Sequence, residues 1–326
     1  MGMRRSIMAW RLLFLAATAL SACVCRANAE KELNARLKSS GLRLGFEGKS
    51  RRIVAIGTAE RELADPSGVQ DFGKIRNDLG KLAIVDAKRE VAQIISQNIN
   101  ASDRVELTAD GDVRKMMLVS VVRSFAQAKL VGCRVIASAE SYEGGVYQVA
   151  VAMGWSELAR THALNALSPG HVSLDVMDDS EWTDWFDRND ASVMVGSRCF
   201  TGKDGKLRFV GLAAMDVDGL SGIKLKSAMR AAGCNALGNL AFALYADVEA
   251  KDVAIRALRE IEVGGNYDSF SWAAFTREVS NSCNRKMLRA REVYSTTFRH
   301  PVSGRVMYLS AYGITFGMDK EKGKAI

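Results

Sequence analysis

The residues most able to do chemistry lie in one acidic stretch: Asp175, Asp178, Asp179, Glu181, Asp184, Asp187 and Asp190, interleaved with Trp182, Trp185 and Phe186. Closely spaced carboxylates can bind calcium or divide acid and base work on a sugar, and tryptophans give sugar rings a stacking surface. Helix chemistry accounts for the same letters more simply. Asp178, Asp179 or Ser180 would cap a short helix, Glu181 would favour its positive N-terminus, and the aromatic side chains would dock it on a core. The central glycine and terminal glutamate of an EF-hand loop are missing.

The chain has three histidines, His162, His171 and His300. His162 and His171 flank Ser168-Pro169-Gly170, and His300 precedes Pro301 in an expected hairpin turn, so all three read as surface-loop residues without a duty. Nine residues separate the first two, which is no ligand spacing on a helix face. Without a placed histidine, a serine or cysteine nucleophile lacks an evident general base. No Gly-x-Ser-x-Gly elbow, phosphate-binding loop or dinucleotide fingerprint occurs, and Gly264-Gly265 reads as a turn. Cys133, Cys199, Cys234 and Cys283 include no Cys-x-x-Cys pair, which argues against zinc and thioredoxin-type chemistry. These readings assign no catalytic residue, cofactor or metal; the expectation is a protein that is not an enzyme.

The N-terminus carries a different kind of signal. Arg4 and Arg5 precede an apolar run from Leu12 to Ala22. Eleven residues rise about 16 Å as a helix, against roughly 30 Å of bilayer hydrocarbon, so the run reads as the core of a signal peptide. Ala27-Asn28-Ala29 offers a small-x-small cut before Glu30. Leu20-Ser21-Ala22-Cys23 resembles the lipobox of bacterial lipoproteins, in which the cysteine becomes the lipid-modified N-terminus, making Cys23 the candidate lipidation site. Both processing routes are open on sequence, and both send the mature chain out of the cytoplasm, to the periplasm or the outer membrane's surface. Of the formal charge of +8, about +5 remains once Arg4, Arg5 and Arg11 leave with the leader. That balance, with no lysine and arginine interleaved among aromatic residues, gives no ground for nucleic acid as a partner.

Positioning falls to elements that occur twice. Leu42–Phe46 and Arg52–Ala59 flank a Gly48-Lys49 turn; Val193–Phe200 and Arg208–Ala214 flank a Lys203-Asp204-Gly205 turn. Both pairs read as β-hairpins. A helix follows each, with apolar stripes at Ile75, Leu79, Ala83, Ala87, Val91 and Ile95, and at Leu225, Met229, Ala232, Ala236, Leu240, Leu244 and Val248. Arg76, Lys81, Asp86 and Lys88 would lie elsewhere around the first helix. Shorter helical patterns follow at 116–130 and about 271–285. Closing hairpins come last, Arg134–Ala139 with Val146–Ala152 and Arg291–Thr296 with Val306–Tyr312.

The order predicts an α+β fold of two tandem ββ-αα-ββ repeats, each an antiparallel sheet with helices on one face. The organisation is a signal peptide over 1–29 (1–22 for a lipoprotein), a first repeat over 30–156, a linker with a short acidic helix over 157–190, a second repeat over 191–318, and a charged tail over 319–326. Packing of the halves about a pseudo-two-fold axis would hide the second face of each sheet.

Val54-Ala55-Ile56-Gly57-Thr58-Ala59, the Ala-rich helix with Asp86-Ala87-Lys88-Arg89-Glu90, and Tyr147-Gln148-Val149-Ala150-Val151 together resemble a pattern of bacterial envelope lipoproteins and larger secreted proteins with domains of unknown function. The resemblance implies an envelope location and a non-catalytic binding or structural module, its partner an envelope protein or cell-wall component. It carries over no catalytic residue. Two other functional readings remain: a periplasmic hydrolase, or calcium- or glycan-binding protein, using Asp178–Asp190, and a homo-oligomeric scaffold paired through sheet edges.

Overall fold

A computed structural model describes residues 28–47, 52–99, 122, 130–157, 159–161, 179–203, 206–264, 271–284 and 290–316. The leader with Cys23, the histidines at 162 and 171 and most of the 116–130 segment lie outside the described residues.

The first unit runs α1 (Asn28–Ser39), β1 (Gly45–Glu47), β2 (Arg52–Glu62), α2 (Phe72–Ile99), β3 (Arg134–Glu143) and β4 (Val146–Ser156). The second runs α3 (Asp179–Arg188), a 3₁₀ turn (Ala191–Val193), β5 (Gly196–Thr201), β6 (Leu207–Asp216), α4 (Gly222–Gly264), α5 (Trp272–Asn284), β7 (Arg291–Arg299) and β8 (Val306–Phe316). Each unit forms one four-stranded antiparallel sheet, and the strand orders match: β1-β2-β4-β3 and β5-β6-β8-β7. The α+β class and the tandem of two sheet-and-helix units therefore stand.

The packing details repeat as well. A Cβ on Gly57 would lie 2.0 Å from the Ala87 nitrogen and 2.3 Å from the Ala83 carbonyl oxygen; on Gly211 it would lie 2.3 Å from the Leu240 nitrogen and 2.2 Å from the Ala236 oxygen. In both units a strand glycine thus lets the long helix rest directly on the sheet backbone. One helical position before Ala87 and before Leu240, a polar side chain ties helix to strand. Asp86 accepts from the Thr58 amide at 2.9 Å, and Asn239 donates to the Leu212 carbonyl at 2.7 Å.

Helices cover both faces of each sheet, not one. Ala29, Leu33 and Leu37, four residues apart on α1, pack with Val54, Ala139, Ala150 and Ala152 on the face of the first sheet opposite α2. The corresponding face of the second sheet receives α3: Trp182 lies over Gly313, and Phe186 stacks on Tyr294 at 4.2 Å. The acidic helix that the sequence suggested for a linker is therefore packed as part of the second unit. The second faces are hidden by these short amphipathic helices, so no two-fold packing is needed to bury them. The contact between units is in fact one-sided. Helix α2 packs against β5 and β6, whereas among the described residues α4 makes no comparable contact with the first sheet. Gly73 permits it, since a Cβ there would meet the Ala214 carbonyl oxygen at 2.5 Å.

Candidate functional site

The densest group of ionisable side chains lies where the units meet. Arg76 from α2 is 3% exposed, yet it carries five donors that cannot be deprotonated. Its Nη2 donates to Glu140 Oε1 at 2.6 Å and to the carbonyls of Ser192 and Met194 at 3.0 Å, and Nε donates to both Glu140 oxygens. Strand alternation brings Glu140 to this face, beside Ser138 and Tyr142, which pair with Val151 and Tyr147 under α2. The Tyr147 hydroxyl donates to Glu140 Oε2.

The fourth member is His300. Expected at the surface of a hairpin turn, it is fully buried. The 300–304 turn folds the ring inward against Phe72 and Phe298, with ring centroids 5.1 and 6.3 Å away. Its Nδ1 accepts from the Ser303 amide at 3.1 Å, which assigns the ring proton to Nε2, and Nε2 lies 3.0 Å from Glu140 Oε2. Nearby, Arg198 on β5 donates to the Ser138 hydroxyl at 2.6 Å and to the Val195 and Ser197 carbonyls.

Burial alone would push the Glu140 carboxyl up. The Arg76 charge and the bonds from His300 and Arg76 more than reverse this and hold it at about 2. Burial, then the Glu140 charge, raises the Tyr147 hydroxyl well above its ordinary value. The cluster is thus a locked carboxylate surrounded by donors. It clamps one unit to the other.

Lys88 and Arg76, expected outside the apolar stripe, are both buried, Arg76 on Glu140 and Lys88 with its ammonium 6.0 Å from the Phe242 ring centroid. The signal for Arg76 and Glu140 was present but weak: one charge beside an apolar stripe, and one acid in phase with Ser138 and Tyr142.

Of the acidic stretch, Asp175 and Asp178 lie outside the described residues, Asp179–Arg188 forms helix α3, and Glu181, Asp184 and Asp190 have structural partners. Glu181 accepts from the Lys203 amide at 3.1 Å and pairs with Arg208 at 3.0 Å, both side chains being largely buried. Asp184 pairs with the Lys203 ammonium at 3.2 Å, and Asp190 caps the 3₁₀ turn through the Ser192 amide at 2.9 Å. Beside this helix lies an open groove of ≈ 340 Å³, which involves Trp185, Phe200, Arg188 and Lys203.

The described cysteines, Cys133, Cys199, Cys234 and Cys283, are free thiols. Burial pushes the Cys199 thiol up to about 11, with Arg134 only partly opposing it, so this thiol is a poor nucleophile.

No protein-family model and no curated protein matches the chain. Among solved structures, the 2.3 Å crystal structure of hypothetical protein FTT1539c from Francisella tularensis is similar, with a TM-score of 0.56 and 15% sequence identity. The match covers 88% of this chain and 89% of that one, so it takes in both units. At that identity the likeness is one of fold.

Proposed function

We propose that the protein is an exported, non-catalytic module of the cell envelope, held to a membrane by a lipid on Cys23 and acting by contact with another envelope component. The observation that carries the anchored form of this reading is the burial of Ala29, 0% exposed in the first turn of α1 beneath the first sheet. A cut before Glu30 would remove this residue and the start of the helix. A cut before Cys23 keeps the helix whole. The non-catalytic part is supported by the joint, where Arg76, Tyr147 and His300 converge on the Glu140 carboxylate, and Arg76 and His300 also bond neighbouring backbone.

Metabolic labelling with palmitate and membrane fractionation test the anchor. The full chain is labelled and sediments with membranes, whereas Cys23→Ser is unlabelled and released. Membrane retention of the unlabelled variant, or a mature N-terminus at Glu30 in the wild type, refutes it.

A further inference from the structure

The groove beside α3 has the size and chemistry of a small-ligand site. Its volume of ≈ 340 Å³ lies within the range of roughly 300–1,000 Å³ typical of ligand clefts. Trp185 and Phe200 line it as a stacked pair, with ring centroids 4.9 Å apart and planes 6° from parallel. Neither ring is fully buried. Such flat apolar surfaces with a polar tip suit ligands that are wet on one side and apolar on the other, and the C–H face of a pyranose ring is of this kind.

The charges around the rings decide what the ring should carry. Glu181 is neutralised by buried Arg208, and Asp184 is paired with Lys203. Arg188 is different. Its Nε donates to the Asp184 carbonyl at 2.8 Å, and the side chain has no ion pair among the described residues, which leaves the planar end of an exposed guanidinium at the groove wall. A guanidinium in that position matches a carboxylate. Asn189 and Thr201 complete a polar rim.

We propose that this groove binds a pyranose bearing a carboxylate, its ring against Trp185 and its acid group at Arg188. The inference rests on the envelope reading above, because it supplies the contact by which such a module would hold a carboxylated glycan of the cell wall.

A matched pair of sugars tests it on the full mature chain. N-acetylmuramic acid and N-acetylglucosamine differ by the lactyl carboxylate, and ligand-observed NMR and calorimetry measure both. N-acetylmuramic acid binds saturably and at least fivefold more tightly than N-acetylglucosamine. Arg188→Gln, an exposed change, abolishes that preference, and Trp185→Ala weakens both sugars at least tenfold. The proposal is overturned if neither sugar saturates below 20 mM, if the two bind equally to the wild type, or if Arg188→Gln retains the preference. Because Arg188 is exposed, its variant reads out the site even where Trp185→Ala unfolds. Failure here leaves the palmitate result at Cys23 untouched, so the two readings fall separately.

Discussion

Replacing Glu140 by glutamine strips the Arg76–Tyr147–His300 cluster of its carboxylate while keeping its shape. The Arg76–Glu140 pair is 2.6 Å long with side chains 4% and 5% exposed, so water cannot take over for the lost charge. Breaking a pair this deeply buried costs roughly 3–5 kcal/mol, mostly because the remaining guanidinium is left without a counter-charge. The carboxyl's own titration agrees. Held at about 2 against an ordinary 4.5, it contributes, at about 1.4 kcal/mol per pH unit, on the order of 3 kcal/mol at neutral pH. The sign follows from the direction. The folded value is depressed, so this stability is fully present above about pH 4.5 and is lost as pH falls towards 2. For a chain of this length about 3 kcal/mol lowers the melting temperature by roughly 6 °C. Urea denaturation followed by circular dichroism, at pH 7 and at steps down to pH 3, measures both effects. Glu140→Gln should lose about 3 kcal/mol at pH 7, and the gap to wild type should narrow as pH falls. Arg76→Met with Glu140→Leu should cost less than the two single changes added together. A loss under 1 kcal/mol at pH 7, or a gap that widens in acid, would refute the account of Glu140 as a charged clamp.

Two further changes probe the repeat itself. Gly57→Ala and Gly211→Ala each force a Cβ to within about 2 Å of helix backbone, so each should destabilise by about 3 kcal/mol, the upper end for overpacking; thermal melts of the two variants should fall by similar amounts. Trp182→Ala, removing a side chain 3% exposed over Gly313, should cost about 3–5 kcal/mol in the same assay, and markedly more than Trp185→Ala at the half-exposed groove.

The fold was largely legible in the sequence because its elements depend on local pattern. Gly144 and Gly145, at φ 59° and 81°, make the tight β3–β4 turn that their adjacency announces, and the i, i+4 stripes mark the faces of α2 and α4 on their sheets. Less legible was what covers the second faces. Helix α1 begins where the small-x-small cleavage pattern lies, and α3, legible as a capped helix docked by its aromatic residues, reads as part of the linker and not as the cover of the second sheet's open face; the Ala29-Leu33-Leu37 and Trp182-Phe186 spacings mark the apolar faces. The joint was hidden for a different reason. Arg76, Glu140 and His300 are 64 and 160 residues apart, and no local pattern tells a paired buried charge from an exposed one. A histidine before proline at a turn reads as surface unless the turn is known to fold inward.

The shared contacts of the two units explain why they meet asymmetrically. Gly57 over Ala83 corresponds to Gly211 over Ala236, so Arg76 corresponds to Met229, seven residues earlier on each helix. Across the sheets, the row Ala59, Val149, Glu140 corresponds to Ala213, Ser310, Ser295, and Tyr147 corresponds to Tyr308. The three partners of the ionic clamp in the first unit are thus matched by a methionine, an exposed serine and a half-buried tyrosine in the second. A two-fold joint would need the same patch on both units. Here one copy carries the guanidinium and carboxylate, and the other contributes His300 from a turn whose counterpart in the first unit is the plain Gly144-Gly145 hairpin. The backbone is repeated, but the chemistry that holds the repeats together belongs to different places in each, which makes the contact head-to-tail and not self-complementary.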